Sequence, residues 1–339
     1  MKTKIAINGF GRIGRLLFRE LWKDEKFEIL AINDLGNIEN LAYLLKYDSV
    51  YRKFDEDVKA GDGELIVGNK KIKVLQEKDP TLLPWKELDI DIVIESTGAF
   101  ESFEKSEMHL KAGAKKVVIT APAKDEERDD AKTVLVGVNE EEFNKCKITS
   151  NGSCTTNAAS PVAAIMAETI GIKKAVLSTV HAYTATQSVV DSPAKGKDFR
   201  RGRAAAQNIS PSSTGAAIAV TRAFPELKGK FDGVAIRVPV LVGSLVDFTF
   251  VAKRKTSVEE INDIFKKAAK EKRWQGIMKV SEDQIVSSDI IGDSCGAIID
   301  LQFTQVIDGD LVKVFSWYDN EAGYVGVLMR HLQKAAENL

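Results

Sequence analysis

The stretch that decides the fold is residues 4–14, KIAINGFGRIG, in which a short apolar run leads into three spaced glycines. The apolar run predicts a buried β-strand, residues 11–22 predict an amphipathic helix, and residues 27–32 predict a second strand. Together they form a βαβ unit. The glycines Gly9, Gly11 and Gly14 permit a tight turn and close backbone approach, so that the start of the helix faces a bound pyrophosphate.

Asp34 follows the second strand at the spacing expected of a ribose ligand, about 20 residues beyond the glycines. Its carboxylate can accept hydrogen bonds from both hydroxyls of an unmodified adenosine ribose, whereas a 2′-phosphate would bring like charges together. The combination predicts a dinucleotide site that prefers NAD to NADP. The glycine pattern alone would be weak support, because a glycine-rich turn followed by an unrelated acid has the same letters.

The first half of the chain continues to alternate short apolar runs with helical patterns. Strands are predicted at residues 90–94, 116–119 and 133–136, and a helix at residues 102–112. Alternating elements of this kind form a parallel sheet covered by helices. We therefore predict an α/β protein in which residues 1–150 form a Rossmann-type NAD-binding domain.

After residue 150 the pattern changes to longer strands. They are predicted at residues 174–181, 233–239, 242–253 and 311–317, with a helix at residues 258–271. This predicts a C-terminal α+β catalytic domain over residues 151–319 with a mixed or antiparallel sheet. Residues 320–339 carry apolar side chains at helical spacing, and we expect this helix to complete the first domain.

Composition argues against several classes of protein. The 48 lysines and arginines balance 49 aspartates and glutamates, so no overall basic field attracts nucleic acid or an anionic membrane. The cysteines, at 146, 154 and 295, are odd in number and lack short paired spacing, which argues against a disulfide framework and a zinc site. No apolar run approaches the ~18 residues of a membrane span. We expect a cytoplasmic protein that binds no metal, nucleic acid or membrane.

Cys154 lies in a polar stretch, residues 153–157, immediately before an apolar helical run. A thiol at the start of a helix faces unpaired N–H groups and the positive end of the helix dipole, which stabilise a thiolate and lower the thiol pKa. The alternative is a small buried side chain. The hydroxyl and amide neighbours favour a nucleophile.

A nucleophilic thiol needs a base, and the chain contains three histidines, His109, His181 and His331. His109 and His331 lie in helical patterns and are interpreted as satisfied or surface residues. His181 ends a predicted strand before a hydroxyl-rich turn, a position that suits the wall of an active site. A neutral imidazole there can take the thiol proton, and later a hydroxyl proton while a hydride leaves the same carbon. A structural histidine is the alternative.

A third group of residues can bind anions beyond the glycine turn. Arg237 stands in an otherwise apolar strand, where a charge is costly unless it meets an anion or a carboxylate. An internal salt bridge is the alternative. The other candidates are hydroxyls and the start of a helical pattern: Thr184, Thr186, Thr214 and Gly215.

Residues 189–209 form a basic segment that is too long for an ordinary turn. Its cations are Lys195, Lys197, Arg200, Arg201 and Arg203. The length indicates a functional or interface loop, although a charge run alone is more often a solvated face.

The chain resembles the phosphorylating glyceraldehyde-3-phosphate dehydrogenases over essentially its full length. The similar stretches are 7–15 INGFGRIGR, 44–49 LLKYDS, 96–98 STG, 153–157 SCTTN, 203–208 RAAAQN, 213–217 STGAA and 317–321 WYDNE. The cysteine motif and the motif that contains Asn320 are highly specific together.

This resemblance implies roles for individual residues. Cys154 is implied as the nucleophile and His181 as its base. The implied NAD ligands, beside the glycine turn, are Arg12, Ile13, Asp34, Lys78, Thr120 and Asn320. Two implied phosphate sites are lined by Ser153, Thr155, Thr184, Thr214, Gly215 and Arg237.

The resemblance also implies a reaction and an assembly. The reaction is the oxidation of D-glyceraldehyde 3-phosphate to 1,3-bisphosphoglycerate by NAD and inorganic phosphate, in glycolysis or gluconeogenesis, through a hemithioacetal and a thioester on Cys154. The assembly is a homotetramer whose S-loop, at about residues 184–209, reaches towards a neighbouring subunit's cofactor.

Three alternatives differ in function. Erythrose-4-phosphate dehydrogenase uses the same thiol chemistry with water as acyl acceptor, and the complete set of phosphate-site residues argues against it. An acyl-phosphate reductase such as aspartate-semialdehyde dehydrogenase does not match the surrounding motifs. A nucleotide-binding protein without turnover is disfavoured by the Cys154 and His181 pair.

Overall fold

The computed structural model describes residues 2–194 and 196–339, so Met1 and Lys195 of the basic segment lie outside the described residues. The chain divides into two compact units. The first takes residues up to Val134, Asn139–Gly152 and Leu328–Leu339, and the second takes Leu135–Val138 and Ser153–Val327.

The first unit alternates strands and helices from its N-terminus. Its strands are β1 Thr3–Asn8, β2 Phe27–Asn33, β3 Val58–Ala60, β4 Glu64–Val67, β5 Lys70–Leu75, β6 Ile92–Glu95, β7 Lys116–Ile119, β8 Ala131–Thr133 and β9 Ile148–Ser150. Its helices are α1 Arg12–Lys23, α2 Ile38–Lys46 and α3 Phe103–Lys111, with 3₁₀ turns at Pro80–Leu82 and Glu140–Asn144.

Within the described residues these strands form a nine-stranded sheet in the order β3-β4-β5-β2-β1-β6-β7-β9-β8. The β3–β4 and β4–β5 pairs are antiparallel, and every pair from β5–β2 to β9–β8 is parallel. The chain extends from β1 to β2 on one side and later places β6 on the other side of β1. Such a reversal opens a crevice beyond the carboxyl ends of the strands, where ligands bind in sheets of this kind. Gly9 follows β1 and Ser96 follows β6 at this edge.

The strand predicted at residues 133–136 is misplaced, because the structure ends β8 at Thr133. Val134, Leu135 and Val136 are buried but lie outside the ladder. An apolar run reports burial, and burial alone does not distinguish a strand from a buried irregular segment. Helix α2 and the strands β3, β4, β5 and β9 were not predicted from the sequence.

The second unit begins with a long helix and continues with a second sheet. Its helices are α4 Cys154–Thr169, α5 Ala216–Ala223, α6 Val258–Ala268 and α7 Ala322–Ala336, the last of which crosses the boundary between the units. Its strands are β10 Ile172–Ala182, β11 Ser210–Ser213, β12 Phe231–Val238, β13 Ser244–Ala252, β14 Met278–Ser281, β15 Ala297–Ile307 and β16 Leu311–Tyr318. The 3₁₀ turns are Phe199–Gly202, Pro225–Leu227 and Lys272–Trp274.

The seven strands formed by the described part of this unit follow the order β11-β12-β10-β13-β16-β15-β14. β10 pairs parallel with β12 and β14 with β15, and the remaining pairs are antiparallel. The α/β fold with a mainly parallel first sheet and a mixed second sheet is therefore confirmed.

One face of the second sheet packs against α4, and this positions the candidate site. Alternate residues of β13, from Ser244 to Ala252, are buried, and α4 is buried from Thr155 to Met166. Ser316 on β16 donates through its hydroxyl to the Ala158 carbonyl at 3.0 Å, which ties helix to sheet. Across the described residues, no helix combines the length and apolar character needed to cross a bilayer.

Candidate active site

Close backbone contacts shape the glycine turn after β1. A Cβ added to Gly14 would lie 2.2 Å from the Gly9 carbonyl oxygen, and one added to Gly9 would lie 2.5 Å from the Thr97 nitrogen. Gly9 also has φ +96°, a conformation that L side chains rarely adopt. A Cβ on Gly11 would meet no atom within 4 Å. Gly11 precedes α1 without a side-chain cap, so this open space lies at a helix start that suits an anion.

Asp34 lies beside this turn with a fixed carboxylate. The Phe10 N–H donates to its Oδ2 at 2.6 Å, and the Gly36 N–H donates to its Oδ1 at 2.8 Å. Each carboxylate oxygen retains acceptor capacity for a further hydroxyl. The first two residues of α1 are Arg12 and Ile13, and the Arg12 guanidinium forms a short ion pair with Asp48.

Thr120 and Lys78 lie at the same carboxyl edge of the first sheet. Thr120 follows β7, and its N–H and hydroxyl both donate to the Glu95 carbonyl, at 3.0 and 3.1 Å. The Asn33 side chain bonds the Glu77 backbone in both directions at 2.9 Å, which holds the segment before Lys78 against the end of β2. Lys78 itself is exposed.

His109 and His331 are fully buried structural residues of the first unit. Trp85 donates through Nε1 to His109 Nδ1 at 3.1 Å, and His109 Nε2 lies 3.1 Å from Glu95 Oε2. His331 Nε2 lies 2.7 Å from Thr149 Oγ1, and burial lowers the pKa of His331 to about 3. Both rings therefore have hydrogen-bond partners in the interior, as the interpretation of satisfied residues predicts.

Cys154 is the first residue of α4, and Ser153 caps that helix. The Thr156 N–H donates to Ser153 Oγ at 3.1 Å, and the Ser153 N–H donates to Thr156 Oγ1 at 3.1 Å. This capping box satisfies two N–H groups and fixes the backbone on both sides of the thiol. The Ser153 hydroxyl therefore has a structural partner as well as its predicted role at an anion.

The structure brings Cys154 and His181 together. Cys154 Sγ lies 3.4 Å from His181 Nε2, although the two residues are 27 positions apart in the chain. His181 occupies the buried face of β10 and its ring packs edge-on against Tyr318, with centroids 5.9 Å apart. A thiol and an imidazole at this distance can exchange a proton.

Arg237 lies directly opposite His181 in the parallel pairing of β10 and β12. Its Nη1 lies 2.7 Å from His181 Nδ1 and donates to the Ala182 carbonyl at 3.1 Å. The same His181 Nδ1 lies 2.7 Å from that carbonyl. Within the described residues Arg237 forms no salt bridge, which was the alternative to anion binding, since the guanidinium faces an imidazole and a carbonyl.

Burial dominates the acid–base properties of this group. It raises the pKa of the Cys154 thiol, whereas the Arg237 charge and the N–H and hydroxyl of Thr155 act to lower it. Cys154 is nevertheless partly exposed, so part of its surface stays in contact with water. Burial, and then the Arg237 charge, lower the pKa of His181 to about 3. The imidazole is therefore neutral near pH 7, but the lowered thiol pKa expected from the helix start is opposed by burial.

Thr155 is linked to Tyr318, a residue to which the sequence analysis gave no role of its own. Thr155 Oγ1 and Thr179 Oγ1 each lie 2.8 Å from the Tyr318 hydroxyl, and Thr179 donates to the Leu245 carbonyl at 3.1 Å. Because Thr179 donates its one proton to that carbonyl, Tyr318 donates to Thr179 and can accept from Thr155. Tyr318 thereby joins the start of α4 to the strand that carries His181.

Arg201 is a second residue to which the sequence gave no role of its own. It contacts the hydroxyl-bearing residues that are candidates for anion binding. Its Nη1 donates to Thr186 Oγ1 at 3.1 Å, its Nη2 donates to Ser212 Oγ at 3.0 Å, and Thr184 lies 2.9 Å from Thr186. Arg201 and Arg237 line one cavity of ≈ 10 Å³, with Arg200, Gln187 and Ser212. Its place in the basic segment was its only signal in the sequence.

Thr214 and Gly215 lie at the start of α5. The Thr214 hydroxyl accepts from the Ala216 N–H at 3.2 Å, and a Cβ on Gly215 would meet no atom within 4 Å. Within the described residues they make no hydrogen bond to Cys154 or His181. The space at the start of α5 is open, and their role at a phosphate stays a prediction.

Asn320 follows β16 with an oriented side chain. Its Oδ1 accepts from the Gly243 N–H at 3.1 Å and from the Ser244 hydroxyl at 3.0 Å. Within the described residues its Nδ2 makes no hydrogen bond, and the side chain is buried. Two donors on a fixed amide are suited to a carbonyl or carboxamide ligand.

Comparison with known proteins agrees with this geometry. Residues 3–103 match the NAD binding domain of glyceraldehyde 3-phosphate dehydrogenase, and residues 153–320 match the C-terminal domain of the same family.

Curated relatives match at full length. The chain is 46% identical over 339 residues to glyceraldehyde-3-phosphate dehydrogenase of Clostridium pasteurianum, covering 99% of each protein. It is 45% identical over 337 residues to glyceraldehyde-3-phosphate dehydrogenase 2 of Bacillus subtilis, covering 98% of this chain and 97% of that one. Identity to the Geobacillus stearothermophilus enzyme is 47% over 326 residues, or 96% and 95% of the two chains. The chain belongs to the glyceraldehyde 3-phosphate dehydrogenase family.

Proposed function

We propose that the protein oxidises D-glyceraldehyde 3-phosphate to 1,3-bisphosphoglycerate, with NAD as oxidant and inorganic phosphate as acyl acceptor. The observation that carries this proposal is the thiol of Cys154, at the start of α4, 3.4 Å from the neutral imidazole of His181. Full-length similarity to enzymes named for this substrate supports it.

The chemistry uses the pair in two stages. Cys154 loses its proton to His181 Nε2 and its sulfur adds to the aldehyde carbon. The oxygen of the resulting hemithioacetal takes that proton back from Nε2, so the imidazole is neutral again. His181 then accepts the proton of that hydroxyl while a hydride leaves the same carbon, and the carbon becomes a thioester carbonyl. Bound NAD supplies the hydride acceptor at C4 of its nicotinamide. Phosphate oxygen next attacks the thioester, the bond to sulfur breaks, and the thiolate of Cys154 is restored.

The residues of the first unit fit a dinucleotide. Space in front of Gly11 lies at an uncapped helix start, and Asp34 presents acceptors beside it. We assign the pyrophosphate to the Gly9–Gly14 turn with Arg12 and Ile13, and the adenosine ribose to Asp34. Lys78 and Thr120 are proposed to complete this site, and the free Asn320 Nδ2 donors to hold the nicotinamide carboxamide.

Anion binding is needed twice, for the phosphate of the substrate and for inorganic phosphate. Burial lowers the pKa of Arg237, and the charge of Arg201, which lines the same cavity, acts in the same direction, so an anion bound by both guanidiniums would offset their repulsion. We propose that they act with the hydroxyls and helix start of the candidate set: Ser153, Thr155, Thr184, Thr186, Thr214 and Gly215.

The proposed division of labour follows the two units. Residues 1–150, completed by the helix at 320–339, would bind NAD, and residues 151–319, with the S-loop at about 184–209, would carry the chemistry. Inclusion of Leu328–Leu339 in the first compact unit supports this division. We further propose a cytoplasmic protein, without a nucleic-acid or membrane partner, in glycolysis or gluconeogenesis.

The test follows NADH absorbance with purified protein, NAD and glyceraldehyde 3-phosphate, with and without inorganic phosphate. Rapid turnover that requires phosphate is expected. Turnover that is slow and indifferent to phosphate would instead indicate the water-using relative that acts on erythrose 4-phosphate, and absence of turnover would indicate a nucleotide-binding protein.

The glycine turn permits a prediction that separates folding from cofactor binding. Gly14→Ala places a Cβ 2.2 Å from the Gly9 carbonyl and is expected to lower the free energy of unfolding by about 1–3 kcal/mol. Gly11→Ala meets no atom within 4 Å, so its stability should be unchanged, while its NAD dissociation constant rises about tenfold. Denaturant titration and fluorescence titration with NAD measure the two effects. Equal NAD affinity in Gly11→Ala and wild type would contradict the assignment of the pyrophosphate to this turn.

A homotetramer is proposed on the basis of the outward face of the second sheet. The face opposite α4 exposes apolar strand residues, with Val176 at 52%, Val180 at 38% and Val234 at 50% exposure. Val234 on β12 lies beside Val176 and Val180 on β10, because the two strands pair in parallel. An apolar strand face of this kind is typical of a subunit interface.

We expect Val234→Lys to increase the subunit dissociation constant at least about tenfold, because an unpaired ammonium would be buried on association. Sedimentation velocity over a concentration series measures this. Leu82→Lys is the matched control, since Leu82 is 68% exposed on the first unit and the same change there should leave the assembly intact. An unchanged tetramer in Val234→Lys would remove this face from the interface.

A further inference from the structure

Ser244 lies at the start of the middle strand of the second sheet, between two strands that lead to residues of the candidate site. It is the first residue of β13, and β13 lies between β10 and β16 in the strand order. Ser244 pairs with Tyr318 of β16, and the next residue of β13 pairs with Val180 of β10. The Ser244 side chain is therefore near the end of β10, which carries His181, and near the end of β16, which leads to Asn320.

The hydrogen bonds of the Ser244 hydroxyl have a fixed direction. The Ala182 N–H donates to Ser244 Oγ at 3.1 Å, and Ser244 Oγ donates to Asn320 Oδ1 at 3.0 Å. A backbone N–H is a donor only, so the hydroxyl oxygen accepts from Ala182 and its single proton goes to Asn320. Ser244 is buried, so bulk water does not compete for that proton.

These bonds determine which end of the Asn320 amide faces the protein. Asn320 Oδ1 accepts from the Ser244 hydroxyl and from the Gly243 N–H, the latter at 3.1 Å. An amide turned end for end would direct its Nδ2 hydrogens at the Gly243 N–H, and the Ser244 hydroxyl would lose its acceptor. Oδ1 therefore points to these donors, and the Nδ2 donors point away from them.

We propose that Ser244 is a positioning residue that makes Asn320 a hydrogen-bond donor to the carbonyl of the nicotinamide carboxamide. The inference rests on the proposed function and deepens it, because it names the residue that sets which end of the amide meets the cofactor. The same hydroxyl accepts from Ala182, the residue after His181. One buried side chain thus holds both the amide that orients the nicotinamide and the end of the strand that carries the base.

This role predicts selectivity for the substituent on the pyridine ring. The carboxamide of NAD has a carbonyl oxygen and an NH₂ group, so it can bond to either end of an asparagine amide. In 3-acetylpyridine adenine dinucleotide a methyl group replaces the NH₂, and the substituent is an acceptor only. This analogue therefore requires the Nδ2 donors of Asn320, whereas adenosine diphosphate ribose lacks the ring and requires neither end of the amide.

The test is equilibrium binding of these three ligands to the purified full chain, measured by isothermal titration calorimetry. The wild type should bind the acetylpyridine analogue within about tenfold of NAD. In Ser244→Ala, the Gly243 N–H alone opposes rotation of the amide. The dissociation constant of the analogue should then rise about tenfold, the effect of one hydrogen bond, while that of NAD changes less than about threefold. The dissociation constant of adenosine diphosphate ribose should be unchanged.

Two further variants separate the hydroxyl from the space that it fills. Ser244→Cys keeps a side chain of similar shape with a weak donor, and it should show the same selective loss for the analogue. Ser106→Ala is the matched control, because Ser106 is also a buried serine, and its hydroxyl donates to the Phe100 carbonyl at 3.1 Å. Ser106 lies on α3 of the first unit, so this variant should bind all three ligands as the wild type does.

Equal losses for NAD and the analogue in Ser244→Ala, or no change in either, would overturn the proposal, because a merely structural hydroxyl does not distinguish ring substituents. A wild type that binds the analogue more than about tenfold more weakly than NAD would overturn it as well. That result needs no variant, so it stands even if the changes at residue 244 prevent folding.

Turnover of the wild type with glyceraldehyde 3-phosphate, NAD and inorganic phosphate is measured on the same sample. Absence of turnover would remove the proposed function, whatever the binding selectivity. Rapid turnover of the wild type together with equal losses in Ser244→Ala would remove this inference alone.

Discussion

Cys154→Ser is expected to lower kcat/KM for phosphate-dependent oxidation of glyceraldehyde 3-phosphate by about four orders of magnitude or more. A serine hydroxyl at the same place holds its proton far more tightly than a thiol. The imidazole that accepts the thiol proton is therefore much less effective with the hydroxyl, and the hydroxyl is a weaker nucleophile than the thiolate. Initial rates of NADH formation measure the loss. Intact-mass analysis after substrate is added without phosphate should show the acyl-enzyme on wild type and none on the variant.

Cys295→Ser is the matched control for this experiment. Cys295 is also a partly exposed cysteine of the second unit, and its N–H donates to Asp293 Oδ1 at 2.9 Å. The control should retain wild-type activity and acylation. If Cys154→Ser kept activity within tenfold of wild type, Cys154 would not be the nucleophile, and if Cys295→Ser lost acylation, the assignment would move to that thiol.

The local parts of the site were predictable because their signals are local. The glycine turn, Asp34 and the βαβ unit lie within 34 residues, and the structure places β1, α1 and β2 within one or two residues of their predicted bounds. α4 starts at Cys154, before the apolar run that predicts the helix, because the Ser153 capping box begins the helix there.

Long-range register was the part that sequence could not supply. Arg237 meets His181 because β10 and β12 pair in parallel with these residues opposite one another, and no pattern within either strand encodes that alignment. Arg201 and Tyr318 were missed for the same reason: their partners, Thr186, Thr155 and Thr179, are distant or depend on a fold already formed.

The thiol pKa shows how a correct local argument can be outweighed. A helix start does favour a thiolate, and the N–H groups near Cys154 do act in that direction. Desolvation by the surrounding sheet and helix acts more strongly in the opposite direction and raises the pKa. Burial depends on tertiary packing, so it was absent from an argument built on neighbours in sequence. The consequence is that reactivity at neutral pH depends on a proton acceptor beside the sulfur.

The second large effect is expected when that proton acceptor, His181, is replaced. His181→Asn is expected to lower kcat by about 10²–10⁴-fold, with a much smaller change in KM for NAD. Loss of the imidazole removes the group that takes the hydroxyl proton of the hemithioacetal, so hydride departure from that carbon becomes the slow step. Substrate deuterated at the aldehyde carbon should therefore show a larger isotope effect on kcat in the variant than in wild type.

The isotope effect separates chemistry from structural damage. A variant that is slow merely because the site is distorted would lose acylation and substrate binding together, without a raised isotope effect. Preserved NAD affinity and an unchanged thermal midpoint are the accompanying controls, since β10 keeps its buried residues Leu177 and Thr179 in the variant. A loss of less than tenfold with no rise in the isotope effect would show that another group accepts the proton. The 3.4 Å contact of Cys154 with His181 would then be a packing contact, and the two-stage role of the imidazole would fail with it.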